Sequence, residues 1–331
     1  MVILTLSSTE SYLHLAKELL GRRLTEEELP AAATALPTLN QSLFDELRQL
    51  AATAVLTQPA YAYAIVAVAH TAAQRSDDLF LRAQTALQLA SAANGWVQPR
   101  LVETAISHAH TLFTQLQDPG WLAVCAWQRN AIPWTRPNFP QVVTELEQAL
   151  NGLELAGFID YIPECRLSLA YAYLLVGRFE DAERETAVAQ QIFESSNNFF
   201  GVGRCFYTRA SYLRRQTHFQ QALDCFTEAQ RCFQQAGAAL WHSITTAQLG
   251  LTSWYWHHDA QTAETNLKSA IEQFRALDVE LWVAQGHLGL GQMYRQLGQL
   301  PAAAKAIQSA REIFTRFHIP GLLADTLLDS G

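Results

Sequence analysis

Small and large apolar residues recur along this chain at helical spacing, and the arrangement is clearest from Leu290 to Ala310. Its small members are Gly291, Ala303 and Ala310, and its large members are Leu290, Tyr294 and Ile307. A glycine-containing turn begins at Gly298 and separates the two apolar runs. Two such stripes joined by a short turn predict a pair of antiparallel helices, with the small residues where the helices touch.

The small position that opens the second helix recurs upstream. Steps of 40 or 41 residues from Ala303 reach, in turn, Ala263, Ala222, Ala182, Val142, Val102 and Ala62. Most of these are followed four and seven residues later by further apolar residues, as Ala222 is by Phe226 and Ala229. Pro59 and Pro99 precede two of them by three residues, and proline suits the first turn of a helix. The spacing predicts seven helix pairs in one register.

The residues around Gly298 and the turn from Gly177 to Ala182 resemble the tetratricopeptide repeat (TPR), whose pattern is Leu-Gly, Tyr, Ala, an apolar residue and Ala. The resemblance implies an all-α fold, a right-handed α-solenoid of antiparallel helix pairs forming a TPR-like superhelix. The family period is ~34 residues, so the longer period here predicts longer helices, as in 40-residue bacterial variants. HEAT-like or armadillo-like pairs, at ~40–47 residues, are the alternative architecture.

Pattern clarity divides the chain into four segments. We expect 1–40 to form an N-terminal helical cap, 41–160 degenerate TPR-like pairs, and 161–317 four clear TPR-like repeats. Capping-box signatures at Ser7 to Glu10 and Thr25 to Glu28 predict two helix starts in the cap. Residues 318–331 begin a further helix with apolar Leu322–Leu328. That helix is either a cap, which could also hold a homodimer together, or the start of a repeat that the chain does not complete.

Residues 118–140 are the least regular segment. Trp121, Trp127 and Trp134 fall close together, with prolines among and after them. The segment is either a distorted turn between helices, in which the tryptophans pack, or a binding loop of the kind that repeat proteins carry.

A net charge of −8 and the lack of any Lys/Arg block argue against nucleic-acid binding and against a polybasic membrane patch. No apolar run approaches the ~20 residues of a membrane span, and Met1–Leu6 is too short for a signal peptide. We therefore expect a cytoplasmic protein with neither nucleic-acid nor membrane partners.

Motifs for chemistry are missing. There is no phosphate-binding glycine loop and no His-Glu-x-x-His. Cys125, Cys165 and Cys205 share one repeat position, which predicts small buried residues rather than a disulfide or metal site. The sequence predicts no enzyme activity, no metal and no cofactor.

The TPR resemblance implies that first helices line a concave groove. Counting from each register, the groove positions are Tyr171, Arg204, Tyr207, Arg214, Arg215, Gln248, Tyr255, Trp256, Gln292 and Arg295. Arginine binds carboxylates through its planar fork, and Tyr and Trp serve as rigid anchors. We expect a protein or peptide partner with an acidic residue and an apolar anchor. The alternative is that Arg214 and Arg215 form a solvated helix end.

Three functions follow from this pattern. The first is a protein- or peptide-binding scaffold for signalling, without catalysis. The second is a sensor arm of a larger protein, since 40-residue repeats resemble those of CHAT-type caspase-like proteases and MalT-type transcriptional regulators. The third is a phosphatase-type regulator that senses signalling peptides. Such regulators use an N-terminal helical bundle for output, and residues 1–40 are too short for one by themselves.

Overall fold

The computed structural model describes residues 7–21, 24–25, 27–131, 136 and 138–317. Within these ranges the chain forms sixteen α-helices and no β-strand, which confirms the all-α prediction. The chain divides into two compact units, residues 1–129 and 130–331. The first contains α1 (Ser8–Leu20), α2 (Leu29–Ala33), α3 (Gln41–Ala54), α4 (Pro59–Ala73), α5 (Leu79–Gly95), α6 (Pro99–Gln115) and α7 (Pro119–Arg129).

The second unit is a run of helices joined by short turns. Its members are α8 (Phe139–Ala156), α9 (Ile162–Leu175), α10 (Phe179–Ser195), α11 (Phe199–Arg215), α12 (Phe219–Gln235), α13 (Ala239–His257), α14 (Ala260–Ala276), α15 (Glu280–Gln296) and α16 (Leu300–Phe317). Each helix contacts the next from α8 to α16. This is the helical solenoid of consecutive pairs that the repeat predicts.

All seven register positions lie on even-numbered helices, α4 to α16. In each case the helix begins three residues before the register residue, as α10 begins at Phe179 before Ala182. Pro59 and Pro99 are the first residues of α4 and α6, as their spacing predicted. The 40-residue period is therefore the period of a helix pair.

The turns repeat at half that period. Residues with positive φ lie 20 or 21 positions apart where both turns are described, and they are Val97, Gln117, Gly157, Gly177, Asn197, Thr217, Gly237, His258, Asp278 and Gly298. At the end of α11 the Thr217 amide donates to the Arg214 carbonyl and the His218 amide to the Leu213 carbonyl. These are the two hydrogen bonds of a Schellman motif. The same pair of bonds recurs at the other positive-φ residues except His258, whose amide donates to the Trp254 carbonyl instead.

Small residues bring the helices of a pair together. Ala182, Ala222 and Ala303 are all buried. A Cβ built on Gly291 would lie 2.5 Å from Ile307 Cγ1, so α15 approaches α16 more closely than any side chain there would allow. The predicted contact role of these positions is confirmed.

In the first unit, α1 packs against α3 and α4. Its Ser7–Glu10 capping box is present, with the Ser7 amide 2.7 Å from Glu10 Oε2. Tyr12 is fully buried and donates its hydroxyl proton to the Pro37 carbonyl at 2.8 Å. The N-terminal helix therefore covers α4, which is Ala-rich and buried on most sides.

Part of the irregular segment is helical. Trp121 and Trp127 lie on α7, where Trp121 stacks on Phe113 with ring centroids 5.4 Å apart and meets Phe80 edge-on at 6.0 Å. Trp127 is buried. These two tryptophans pack rather than line a loop. Trp134 lies outside the described residues, as does the predicted helix start at 318–331.

The three cysteines that share one repeat position are buried, as predicted. Burial raises the pKa of the Cys125, Cys165 and Cys205 thiols to about 12. Thiols in this state are poor nucleophiles and poor metal ligands. None of the described helices has both the length and the hydrophobicity needed to cross a membrane.

Candidate functional site

We refer to the first helices of the four pairs in the second unit, α9, α11, α13 and α15, as the inner layer, because the TPR resemblance implies that they line the groove. Helix α9 contacts α11, and α13 contacts α15, in addition to the contacts inside each pair. Hydrogen bonds from side chains join residues of neighbouring first helices that lie about one period apart in the sequence. The Arg215 guanidinium donates to the Leu174 carbonyl at 3.4 Å, and the Trp254 indole donates to Gln296 Oε1 at 2.8 Å. The groove residues of the sequence analysis all lie on this layer.

Five of them come together on α9, α11 and α13. This polar cluster consists of Tyr171, Tyr207, Arg214, Arg215 and Gln248. Arg214 Nη1 donates to Gln248 Oε1 across the α11–α13 contact, and its guanidinium lies 5.9 Å from the centroid of the Phe226 ring. Arg215 is exposed, Arg214 and Tyr171 are half-buried, and Tyr207 is buried.

The two tyrosines are held in their neutral form. Burial raises the pKa of Tyr171, while the positive charges of Arg215 and Arg214 act in the opposite direction. Burial also raises the pKa of Tyr207, and the neighbouring Tyr171 adds to the effect. Since both phenols stay protonated, neither supplies a negative charge to neutralise the arginines.

The arginines of α11 divide into two kinds. Arg204 is ion-paired with Glu164 of α9, and Arg209 with Glu183 of α10 at 3.1 Å. Arg214 and Arg215 have no carboxylate partner among the described residues, and they donate only to an amide oxygen and to a main-chain carbonyl. The cluster therefore holds two adjacent guanidinium groups whose charge the surrounding chain leaves uncompensated.

Arg204 lies apart from this cluster. It precedes Arg214 by ten residues on α11, about 15 Å along a helix axis. Its guanidinium lies 5.5 Å from the Trp241 ring centroid and 5.8 Å from that of Phe200, in addition to the Glu164 ion pair. This arginine joins two inner helices and an aromatic core.

The remaining predicted residues lie on the last turns of α13 and α15. Tyr255 and Trp256 are 40% and 37% exposed, and the Trp256 ring lies 4.1 Å from that of His257. Arg295 is exposed and Gln292 is half-buried. These residues offer aromatic surface and hydrogen-bonding groups beyond the polar cluster.

Sequence reasoning missed the residues that bond to side chains of the inner layer, including the acidic partners of its arginines. Glu164 precedes Arg204 by 40 residues, and Gln296 follows Trp254 by 42. A search for opposite charges or donor–acceptor pairs one period apart would have found both, because equivalent positions of neighbouring first helices are adjacent. Glu183 is harder to find, since it lies on the second helix of the preceding pair.

The cluster offers guanidinium and amide donors beside aromatic rings. Among the described residues, no group of three or more His, Cys, Asp and Glu side chains is placed to hold a metal ion.

No protein-family model matches the sequence, and no curated protein aligns with it. Solved structures do share its fold. A Rap protein complexed with Competence and Sporulation Factor has a TM-score of 0.66 at 12% identity, covering 94% of this chain and 86% of its own.

The apo form of RapI gives a TM-score of 0.57 at 11% identity, with 83% of this chain and 98% of its own covered. A signal transduction ATPase of the STAND class with a tetratricopeptide repeat sensor, from Pyrococcus horikoshii, gives 0.51 at 14% identity, with 98% and 62% covered. At these identities the likeness establishes the fold, which is that of the tetratricopeptide-type solenoid.

Proposed function

We propose that this chain is a protein- or peptide-binding scaffold that recognises a carboxylate-bearing segment of its partner on the inner layer and carries out no reaction on it. One observation carries the proposal: among the described residues neither Arg214 nor Arg215 has a carboxylate partner, whereas the other two arginines of the same helix each have one. A planar guanidinium takes a carboxylate through two parallel hydrogen bonds.

The ligand that fits combines an acidic residue with an apolar one. Arg215 is the exposed donor, and its present bond to the Leu174 carbonyl is long at 3.4 Å, so a carboxylate would replace it at little cost. Tyr171 supplies a half-buried ring beside the guanidinium groups. Tyr255 and Trp256, both exposed, offer a second anchor for an apolar side chain.

Rigidity of the inner layer supports this function. Gln248 holds Arg214, and an inter-helix hydrogen bond to Gln296 fixes Trp254. Side chains that are already ordered lose little conformational entropy on binding. The Rap protein that shares this fold is itself complexed with Competence and Sporulation Factor, which is consistent with ligand recognition on such a scaffold.

Selection from a random peptide library tests the proposal. Peptides would be selected on the full chain and then compared for binding to Arg214→Gln/Arg215→Gln and to Arg209→Gln, a matched variant of an ion-paired arginine on the same helix. We expect enriched peptides to contain Asp or Glu near an aliphatic or aromatic residue, and to lose affinity only for the double variant. Equal binding to all three proteins, or enrichment without acidic residues, would contradict the proposal.

The second candidate is a sensor arm of a larger signalling protein. The likeness to the STAND ATPase favours it, because the structural match covers 98% of this chain but only 62% of that protein, which has a tetratricopeptide repeat sensor as one part. The mass of the protein in its native cell separates the two readings. A mass near 36.9 kDa identifies a free-standing scaffold, and a much larger one identifies an arm whose output lies elsewhere.

A further inference from the structure

A second cluster of basic side chains lies in the first unit, far in sequence from the polar cluster. His70 of α4, Arg82 of α5 and His108 of α6 converge where these three helices pack in succession. The two imidazole rings meet edge to face, with centroids 5.3 Å apart and an interplanar angle of 75°. Arg82 is close enough to act on the charge of both rings.

Hydrogen bonds determine which ring nitrogen of His70 carries the proton. The Thr85 hydroxyl donates to the Arg82 carbonyl at 2.9 Å, so Thr85 Oγ1 is left to accept from His70 Nδ1, 3.2 Å away. Gln74 Nε2 lies 3.2 Å from His70 Nε2 and donates to it. His70 is therefore a neutral imidazole with both nitrogens satisfied, and it forms a wall of the cluster rather than a donor to a ligand.

Arg82 and His108 are different, since the side chain of neither residue makes a hydrogen bond or an ion pair within the described part of the chain. The Arg82 Nε atom is sealed from solvent and has no acceptor. Both side chains are half-buried, so each is partly desolvated yet reachable from outside. The Nε–H group of Arg82 has lost water without gaining an acceptor.

The acidic residues described on α3 to α6, and Asp78 before α5, are engaged elsewhere. Helices α4 and α5 contain no Asp or Glu, and Arg82 is the sole charged residue of α5. The single acid of α6, Glu103, is ion-paired with Arg129 of α7 at 3.4 Å. Asp78, which precedes α5, accepts hydrogen bonds from the Phe80 and Leu81 amides. On α3, Asp45 pairs with Arg48, and Glu46 accepts from Thr9.

From this we infer that Arg82 and His108 form a binding site for a compact oxyanion, a phosphate or carboxylate group, where α4, α5 and α6 pack in succession. The guanidinium fork and an imidazole N–H together offer donors to two oxygens of one group. The site is independent of the inner layer of the second unit, and its ligand is recognised by charge and by hydrogen bonding.

Imidazole NMR of the full chain tests this site. The ten histidines would be observed during titration with inorganic phosphate at constant ionic strength, with His108 assigned through His108→Gln. We expect the His108 resonances to shift and saturate, while those of His110, exposed on the same helix, do not. A parallel titration with acetate shows whether the site takes carboxylates as well. Saturation with either anion supports the proposal.

Two variants make the test specific. Arg82→Gln should weaken phosphate binding about tenfold or more, because it removes a charge-assisted hydrogen bond, whereas Arg100→Gln, at an exposed arginine of α6, should leave it unchanged. If Arg82→Gln does not fold, Arg82→Lys keeps the charge and loses the fork, and it should still bind phosphate more weakly. A His108 signal that does not move, that follows His110, or that saturates identically in the Arg82 variant would overturn the inference.

Discussion

Single residues at the helix ends determine how this chain turns. Gly177 has φ of +81°, and a Cβ built on it would touch nothing within 4 Å. Thr217 occupies the equivalent place in the next pair with φ of +63°, and it is exposed. A β-branched residue in the left-handed region is strained by about 1–2 kcal/mol, which glycine avoids. The same turn therefore exists in a relaxed and in a strained version.

Exchanging the two versions should change stability in opposite directions. Gly177→Ala should lower the free energy of unfolding by about 1 kcal/mol, because only backbone strain is added. Thr217→Gly should raise it by about 0.5–1 kcal/mol, part of the relief being offset by greater freedom of the unfolded chain. Denaturant unfolding of both variants beside the parent measures this. Stability changes of opposite sign in the two variants support the turn assignment, and a loss of stability in both would contradict it.

His70 gives the first unit a pH dependence of known sign. Burial lowers its pKa from 6.5 to about 4, with smaller contributions from His108 and Arg82. Between those pH values the unfolded state holds more protons, so the free energy of unfolding must fall as pH falls. A shift of this size corresponds to a loss of about 3 kcal/mol that is complete below pH 4.

Unfolding measured from pH 7 to pH 4 checks that dependence. His70→Gln keeps a donor for Thr85 and should flatten the decline, leaving the part that carboxylates cause. His257→Gln, at an exposed position, should follow the parent. A His70→Gln profile that parallels the parent would refute the assignment of the slope to this imidazole.

The arginines show what could not be predicted at the residue scale. The sequence placed Arg204, Arg214 and Arg215 in one groove as equivalent basic residues. The ion pair of Arg204 with Glu164 depends on one side chain of α11 meeting another of α9, and that contact is not local in sequence. Pairing distinguishes a structural arginine from one that is available to a ligand, and it follows only from the packing of neighbouring helices.

At the scale of the element, the repeat itself was readable from small residues. Ala182, Ala222 and Ala303 must be small because a second helix packs there, so the constraint appears directly as a period in the sequence. The half-period of the turns does not appear, because Gly, Asn, Thr, His and Asp all occupy the left-handed position. Helix α7 was not predicted for a similar reason, since its tryptophans and the nearby prolines interrupt the pattern of small and large apolar residues that marks the other helices.

The contact between α15 and α16 gives a prediction at this scale. Gly291→Ala places a methyl group 2.5 Å from Ile307 Cγ1 and should cost about 1–3 kcal/mol of unfolding free energy through overpacking. Gly289→Ala, on the same helix, meets Leu251 only at 3.3 Å and should be close to neutral, because alanine also favours the helix.

A double variant identifies the cause of that loss. Combining Gly291→Ala with Ile307→Ala removes the opposing side chain, so the combined cost should be smaller than the sum of the two single costs. Thermal or denaturant unfolding of the four proteins completes the cycle. Additive costs would mean that Gly291 matters for a reason other than the approach of α16.

At the scale of the whole molecule, charge and repeat architecture bear on the same function. The chain carries a net charge of −8, yet the polar cluster of the second unit holds two guanidinium groups that no carboxylate of the described residues pairs with. The net negative charge disfavours nonspecific contact with nucleic acid, whereas the two guanidinium groups would attract the carboxylate of the proposed partner. The first unit has its own unpaired cation at Arg82.

The central claim is that Arg215 binds a carboxylate of the partner, and a double-mutant cycle on binding affinity tests it most directly. The parent and Arg215→Gln would each be titrated with one selected peptide and with its Glu→Gln or Asp→Asn counterpart. A direct ion pair predicts a coupling free energy of about 1.5–3 kcal/mol, so that either change alone costs nearly as much as both. Strictly additive losses would show that Arg215 and the peptide carboxylate do not meet.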